Sequence, residues 1–155
     1  MTFALLVAVQ WVHVLGGIFW FGSALTLHFV VLPALKSMPH EAQRAWLLSF
    51  AARYGRVIGP IGGLTILFGI IRGLVGGVWG SLSTPYGYTW VASIVLGIGL
   101  ALIGGRLVGP AAHALAVAPE SDSPTLGARL ARFGIAEIAG FLVLFTMMIA
   151  MRFGF

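Results

Sequence analysis

Four apolar runs, each long enough to cross a bilayer, occupy most of this 155-residue sequence. A membrane-spanning helix needs about 20 mainly apolar residues, and we predict spans at about residues 3–32, 57–79, 89–117 and 127–151. Only 8% of the residues are charged, against roughly 25% in a soluble domain. We therefore predict one all-α domain over residues 1–155, an integral membrane four-helix bundle in contact with the lipid bilayer.

The link between the first and second runs is the most polar part of the chain. Within it, His40 to Tyr54 places Trp46, Leu47, Phe50 and Tyr54 at helical spacing. Such a segment is typical of a helix that lies in the membrane interface. We predict a short amphipathic interfacial helix between helices 1 and 2.

Basic residues predict how the bundle is oriented. The first link carries four of them (Lys36, Arg44, Arg53 and Arg56), the second carries none, and the third is followed by Arg129 and Arg132. Because positive charge favours the cytoplasmic side, both termini are expected outside the bacterial inner (plasma) membrane. Anionic headgroups account for the net charge of +5, so we expect no nucleic acid partner.

The chain has no cysteine, which excludes disulfides, thiolate metal sites, iron–sulfur clusters and covalently attached haem. It also has no P-loop, no dinucleotide fingerprint, no HExxH motif and no pair of carboxylates. No catalytic residue can be named from the sequence. A membrane oxidoreductase is one reading, and whether the chain is an enzyme stays open.

Ionisable residues within the apolar runs need a reason to be there, because a charge at bilayer depth costs about 2.5 kcal/mol or more. Those in the spans are His13, His28, Arg72, Arg106 and Glu137, with His113 near an interface. At about 1.5 Å per residue, His13 lies roughly 15 Å into the first span. His28 lies roughly 22 Å deeper, at a depth similar to that of His113.

Two histidines from different helices at one depth predict two axial ligands for a b-type haem, or two ligands for a metal ion. A membrane histidine that only bonds a neighbouring helix is the alternative for each of them. Arg72 lies near the depth of His13, and Arg106 lies in the third span. An arginine there could bind a haem propionate or pair with Glu137, or its side chain could extend to the headgroups.

The segment from His13 to Gly22, in which Trp20 follows the histidine by seven residues, resembles the first helix of small haem-associated membrane proteins. This group includes CopD-like copper-resistance domains and J-type protoporphyrinogen oxidases. The run from His28 to Leu35 and the run from Arg106 to Pro110 are also similar to it. The resemblance implies a haem b site with His13 as a ligand. The J-type oxidases carry a lysine near the start of the third helix, where this chain has Trp90.

Together these features predict a membrane b-type haem protein that transfers electrons to or from a quinone or a partner complex. Its predicted cofactor-binding residues are His13, His28, His113, Arg72 and Arg106, with the three histidines as candidate iron ligands. One alternative is a copper or metal permease or handling protein, in which Met147, Met148 and Met151 could hold copper. Another is a cofactor-free accessory subunit. A homodimer or a larger membrane complex is left open.

Overall fold

Four long helices make up nearly the whole of the computed structural model, which describes residues 3–155. They are α1 (Phe3–Leu35), α2 (His40–Val75), α3 (Pro85–Val117) and α4 (Ser123–Arg152). No strand occurs in the described part of the chain. The predicted second span ends at Trp79, whereas α2 ends at Val75 and Gly77 follows it in the left-handed conformation. A short 3₁₀ turn precedes α3, and another precedes α4.

The helices are long and apolar enough to cross a membrane. Their outward faces carry large exposed apolar side chains along the length of the bundle, such as Trp11, Phe29, Val95 and Ile135. A soluble protein rarely exposes so continuous an apolar surface. The chain is therefore an all-helical protein whose apolar faces suit contact with lipid.

The polar segment that begins at His40 is not a separate helix. It forms the first part of α2, which runs unbroken for 36 residues. No proline lies between His40 and Gly59, and both Gly55 and Pro60 are accommodated within the helix. The periodicity of this segment was therefore helical as predicted, but the expected boundary near residue 56 does not exist.

Helices α1 and α3 contain the same irregularity near their carboxyl ends. Both widen into a π-helical turn, over Thr26–Val31 in α1 and over Gly104–Val108 in α3. Each turn lies just before a proline, Pro33 or Pro110. A proline lacks the N–H group, and its ring clashes with the carbonyl four residues earlier. The residue before each proline instead donates its N–H to the carbonyl five residues earlier.

Both π-helical turns contact α4 on the same side. The ring of His28 packs onto Gly134, and a Cβ atom at Gly104 would lie 2.9 Å from Oε1 of Glu137. Gly134 and Glu137 are three residues apart and so lie on one face of the helix. The missing side chains at Gly134 and Gly104 make room for the two ionisable groups.

The core lies between Trp20 of α1, Leu100 of α3, and Ile138, Phe141 and Leu144 of α4. Trp20 is 4% exposed, and its ring meets that of Phe141 edge to face at a centroid distance of 5.0 Å. At one end of the bundle, Nε of Arg44 donates a 3.0 Å hydrogen bond to the carbonyl of Ala116. This bond joins the start of α2 to the end of α3.

The contact between Gly134 and His28 predicts a stability change. Gly134→Ala would place a methyl group against the ring of His28, and such overpacking costs about 1–3 kcal/mol. Gly127→Ala on the same helix meets nothing within 4 Å and serves as the control. We expect thermal unfolding in detergent to show a lower midpoint for Gly134→Ala than for Gly127→Ala. Equal midpoints for the two variants would contradict this packing.

Candidate functional site

One cavity, called here the His13 cavity, lies between the four helices and has a volume of about 490 Å³. This size falls within the usual range of small-molecule and cofactor sites, roughly 300–1,000 Å³. Its wall is mostly apolar, with a few polar side chains that converge on it. These are Gln10, His13, Thr65, Arg72, Tyr86, Trp90, Ser93 and Arg152.

The imidazole of His13 is held by α2. Its Nδ1 lies 2.8 Å from the carbonyl oxygen of Thr65. A carbonyl oxygen only accepts hydrogen bonds, so Nδ1 is the donor of this bond. A carbonyl bonded to one ring nitrogen orients a histidine whose other nitrogen binds a metal. The carbonyl of Thr65 therefore orients the ring of His13, and Nε2 is left to face a ligand in the wall of the cavity.

Glycines let the two helices and the aromatic rings come close around this cavity. A Cβ atom at Gly69 would lie 2.7 Å from Cε1 of His13. At Gly73 it would overlap the indole of Trp90, and at Gly16 it would overlap the hydroxyl of Thr65. Any larger residue at these three positions would displace the ring or separate the helices.

The charge of the His13 cavity is positive. Arg72 and Arg152 both line it, and none of the described residues lining it is acidic. Arg72 is half-buried in the last turn of α2, and Arg152 ends α4. Two guanidinium groups near the ring of His13 suit a ligand that carries anionic groups, since arginine binds carboxylates through two parallel hydrogen bonds.

The structure brings His13 and Arg72 together, as their similar predicted depths suggested. The other predicted site residues lie elsewhere. His28 packs on Gly134, and its Nε2 is buried with no hydrogen-bond partner. His113 and Arg106 are both on exposed positions of α3. None of these three lines the His13 cavity.

A second cavity, called here the Glu137 cavity, has a volume of about 920 Å³ and is lined by all four helices. Glu137 is 5% exposed and forms part of its wall. Tyr54 and His113 also line it, whereas His28 does not. Trp20 lines both cavities and so separates them.

Glu137 lies without a cation partner in the described part of the chain. Neither an arginine nor a lysine from residues 3–155 forms an ion pair with it, so the expected pairing with Arg72 or Arg106 is absent. Arg72 instead lines the other cavity, and Arg106 is exposed. The carboxylate faces the Glu137 cavity with no charge opposite.

Several polar residues of the two cavities were missed by sequence reasoning. Gln10 lies three residues before His13, and this spacing alone would have placed both on one helix face. The sequence around Trp90, and the arginines on either side of Tyr54, suggest membrane-interface positions for both rings. Nothing in the local pattern indicates that Tyr54 faces Glu137, which lies 83 positions later in the chain.

Comparison with known proteins adds no relative. No protein-family model, no curated protein and no solved structure matches this chain. Within residues 3–155, no group of three or more His, Asp or Glu side chains is placed to hold a metal ion. The functional conclusions therefore depend on the two cavities themselves.

The isolated carboxylate predicts an effect on stability. Glu137→Gln removes a charge that has no partner at bilayer depth, where such a charge costs about 2.5 kcal/mol or more. We expect this variant to unfold at a higher temperature than the unmodified protein at alkaline pH in detergent. Glu120→Gln, in the exposed turn before α4, is the control and should change little. A lower midpoint for Glu137→Gln would show that the carboxylate has a stabilising partner.

Proposed function

We propose that this chain is an integral membrane haem protein that transfers electrons, with His13 as an iron ligand and Arg72 and Arg152 as partners of the propionates. The observation that carries this proposal is the 2.8 Å contact between Nδ1 of His13 and the carbonyl of Thr65. It leaves Nε2 free in a cavity with two arginines and no acid. A haem bound there would supply one-electron redox chemistry.

The residues that line the His13 cavity fit the parts of a haem. An imidazole nitrogen suits the iron, and guanidinium groups suit the propionates. Gly69 makes room for the ring of His13 at the cavity wall. Gly17, Gly69 and Gly97 all line the cavity. Its remaining wall consists of apolar and aromatic side chains such as Phe141 and Phe145, which keep water away from the iron site.

A second ligand from the same cavity would be a thioether. Met148 and Met151 both line it, and His13 is its only histidine among the described lining residues. Axial methionine with histidine is a known arrangement for haem and raises the reduction potential. The two histidines His28 and His113 do not line a common cavity. Their pairing as ligands at a second site stays a prediction.

The resemblance of the His13 to Gly22 segment to CopD-like and J-type oxidase proteins supports the same proposal. A quinone or a partner complex is the proposed electron donor or acceptor. The basic residues in the first link and just after the third link support a location in the bacterial plasma membrane with both termini outside. The proposed interfacial location of residues 40–54 follows from their polarity.

The absorption spectrum tests the proposal. Protein purified from haem-replete cells should show a Soret band, with α and β bands on reduction. His13→Ala should lose these bands, because the donor nitrogen is removed, while His40→Ala, at the distant start of α2, should keep them. A colourless preparation of the unmodified protein would reject a haem function.

Replacement of Arg72 tests the role of the positive charge. A hydrogen bond to a charged group contributes about 1.5–3 kcal/mol, so Arg72→Ala should weaken haem binding by roughly ten- to a hundredfold. Arg106→Ala, which removes the same charge at an exposed position, is the matched control. Titration of the haem-free protein with haem measures the haem affinity of both variants. Equal losses of haem affinity in Arg72→Ala and Arg106→Ala would show that Arg72 is not a propionate partner.

Copper handling is a second candidate, favoured by one observation. His13, Met148 and Met151 line the same cavity, and imidazole with thioether groups suits Cu(I). In that case anaerobic Cu(I) titration should stabilise the protein against heat, and the stabilisation should disappear in both His13→Ala and Met148→Leu. Haem bands from the unmodified protein would favour the first proposal instead.

A further inference from the structure

Glu137 is a buried acidic residue in the interior of the bundle. Its side chain is 5% exposed, lies beside the π-helical turn of α3 and faces the Glu137 cavity. It has no cation partner in residues 3–155. An acidic residue kept at bilayer depth usually marks a ligand or ion pathway, so the group that neutralises it is expected to come from outside the chain.

The Glu137 cavity is large and almost wholly apolar. Its titratable lining residues are Glu137, Tyr54 and His113, and no arginine or lysine is among the described residues that line it. Trp20, Phe50 and Tyr54 supply aromatic surface. The wall therefore combines a single negative group with rings whose faces attract cations.

We propose that the Glu137 cavity binds a lipid-soluble organic cation, with Glu137 as its counter-charge. This binding site is separate from the His13 cavity and does not depend on the proposed haem. Trp20 and Phe141, packed edge to face, stand between Glu137 and the His13 cavity. A cation could reach the site from the lipid phase, because the apolar walls match its organic groups.

The chemistry of the wall favours an organic cation over other occupants. A metal ion needs several oxygen or nitrogen ligands, and Glu137 is the only carboxylate among the described residues that line the cavity. A neutral lipid-soluble molecule would leave the carboxylate without an opposite charge. An organic cation whose charge is spread over apolar groups would find all three features that it needs in this cavity. These are one opposite charge, aromatic ring faces and apolar contacts.

Two ions of the same shape and opposite charge test the proposal. Tetraphenylphosphonium and tetraphenylborate differ in the sign of their charge but present the same four phenyl rings. Equilibrium dialysis of the full chain in lipid nanodiscs, with empty nanodiscs subtracted, should show saturable binding of the phosphonium only. Equal binding of both ions would overturn the proposal, as would binding of a neutral short-chain quinone in place of the phosphonium.

Substitution of Glu137 tests the counter-charge. Glu137→Gln keeps the size of the side chain and removes the charge, and loss of one member of a buried charge pair should weaken phosphonium binding by roughly thirtyfold. Glu137→Asp keeps the charge and should retain most of the binding. Glu120→Gln is the exposed control. Unchanged affinity in Glu137→Gln would overturn the proposal.

A steric test leaves the charge in place. Gly59 lines the Glu137 cavity, and a Cβ atom there would meet nothing within 4 Å, so Gly59→Leu should fill the space and abolish phosphonium binding. Gly63 on the same helix is equally open but lines neither cavity, so Gly63→Leu should bind normally. Equal binding by these two variants would show that the ion sits elsewhere.

His13→Ala separates this proposal from the haem proposal. The variant should lose the haem bands and keep phosphonium binding, because His13 does not line the Glu137 cavity. A protein without haem bands that binds phosphonium through Glu137 would reject the haem function alone. Loss of phosphonium binding in His13→Ala, with the fold intact, would contradict the separate site.

Discussion

The contact between α1 and α2 at Gly16, Thr65 and Gly69 determines the rest of the arrangement around His13. A Cβ atom at Gly16 would overlap the hydroxyl of Thr65, and one at Gly69 would press on the ring of His13. Only small residues let two helices come this close in lipid, where dispersion contacts and hydrogen bonds replace the hydrophobic effect. The close approach places the carbonyl of Thr65 within hydrogen-bond distance of Nδ1 of His13. One ring nitrogen is thereby used, and the other is left for a ligand.

A second constraint acts at the other end of the bundle. Pro33 and Pro110 each prevent a regular α-helical turn, and α1 and α3 widen there. In lipid no water is present to satisfy freed backbone groups, so such turns are tolerated where neighbouring helices cover them. Here α4 covers both, with Gly134 under His28 and Glu137 beside Gly104. The irregular turns and the isolated carboxylate therefore belong to one region of the molecule, and π-helical turns often accompany functional sites.

Residue counting along the helices predicted some of the site and missed other parts for a definite reason. Depth follows from the number of residues before a position, and it correctly placed Arg72 near His13. Depth alone did not show that His28 turns towards Gly134 while His113 faces the other cavity. The rotation of each helix about its axis decides that, and the contacts of small residues such as Gly134 decide the rotation. The change in polarity near residue 56 predicts a helix end that the structure does not contain, because polarity alone does not end a helix and Gly55 is accommodated within His40–Val75.

The sequence by itself determined that this chain forms four apolar helices, that lipid suits their outward faces, and that a few ionisable groups are kept among them. These properties follow from composition and from the length of the apolar runs, which do not depend on how the helices meet. Only the tertiary structure decided which groups share a cavity: His13 with two arginines, and Glu137 with Tyr54 but without a cation. Such groupings depend on helix rotation and on contacts between residues far apart in the chain, and no local pattern encodes them.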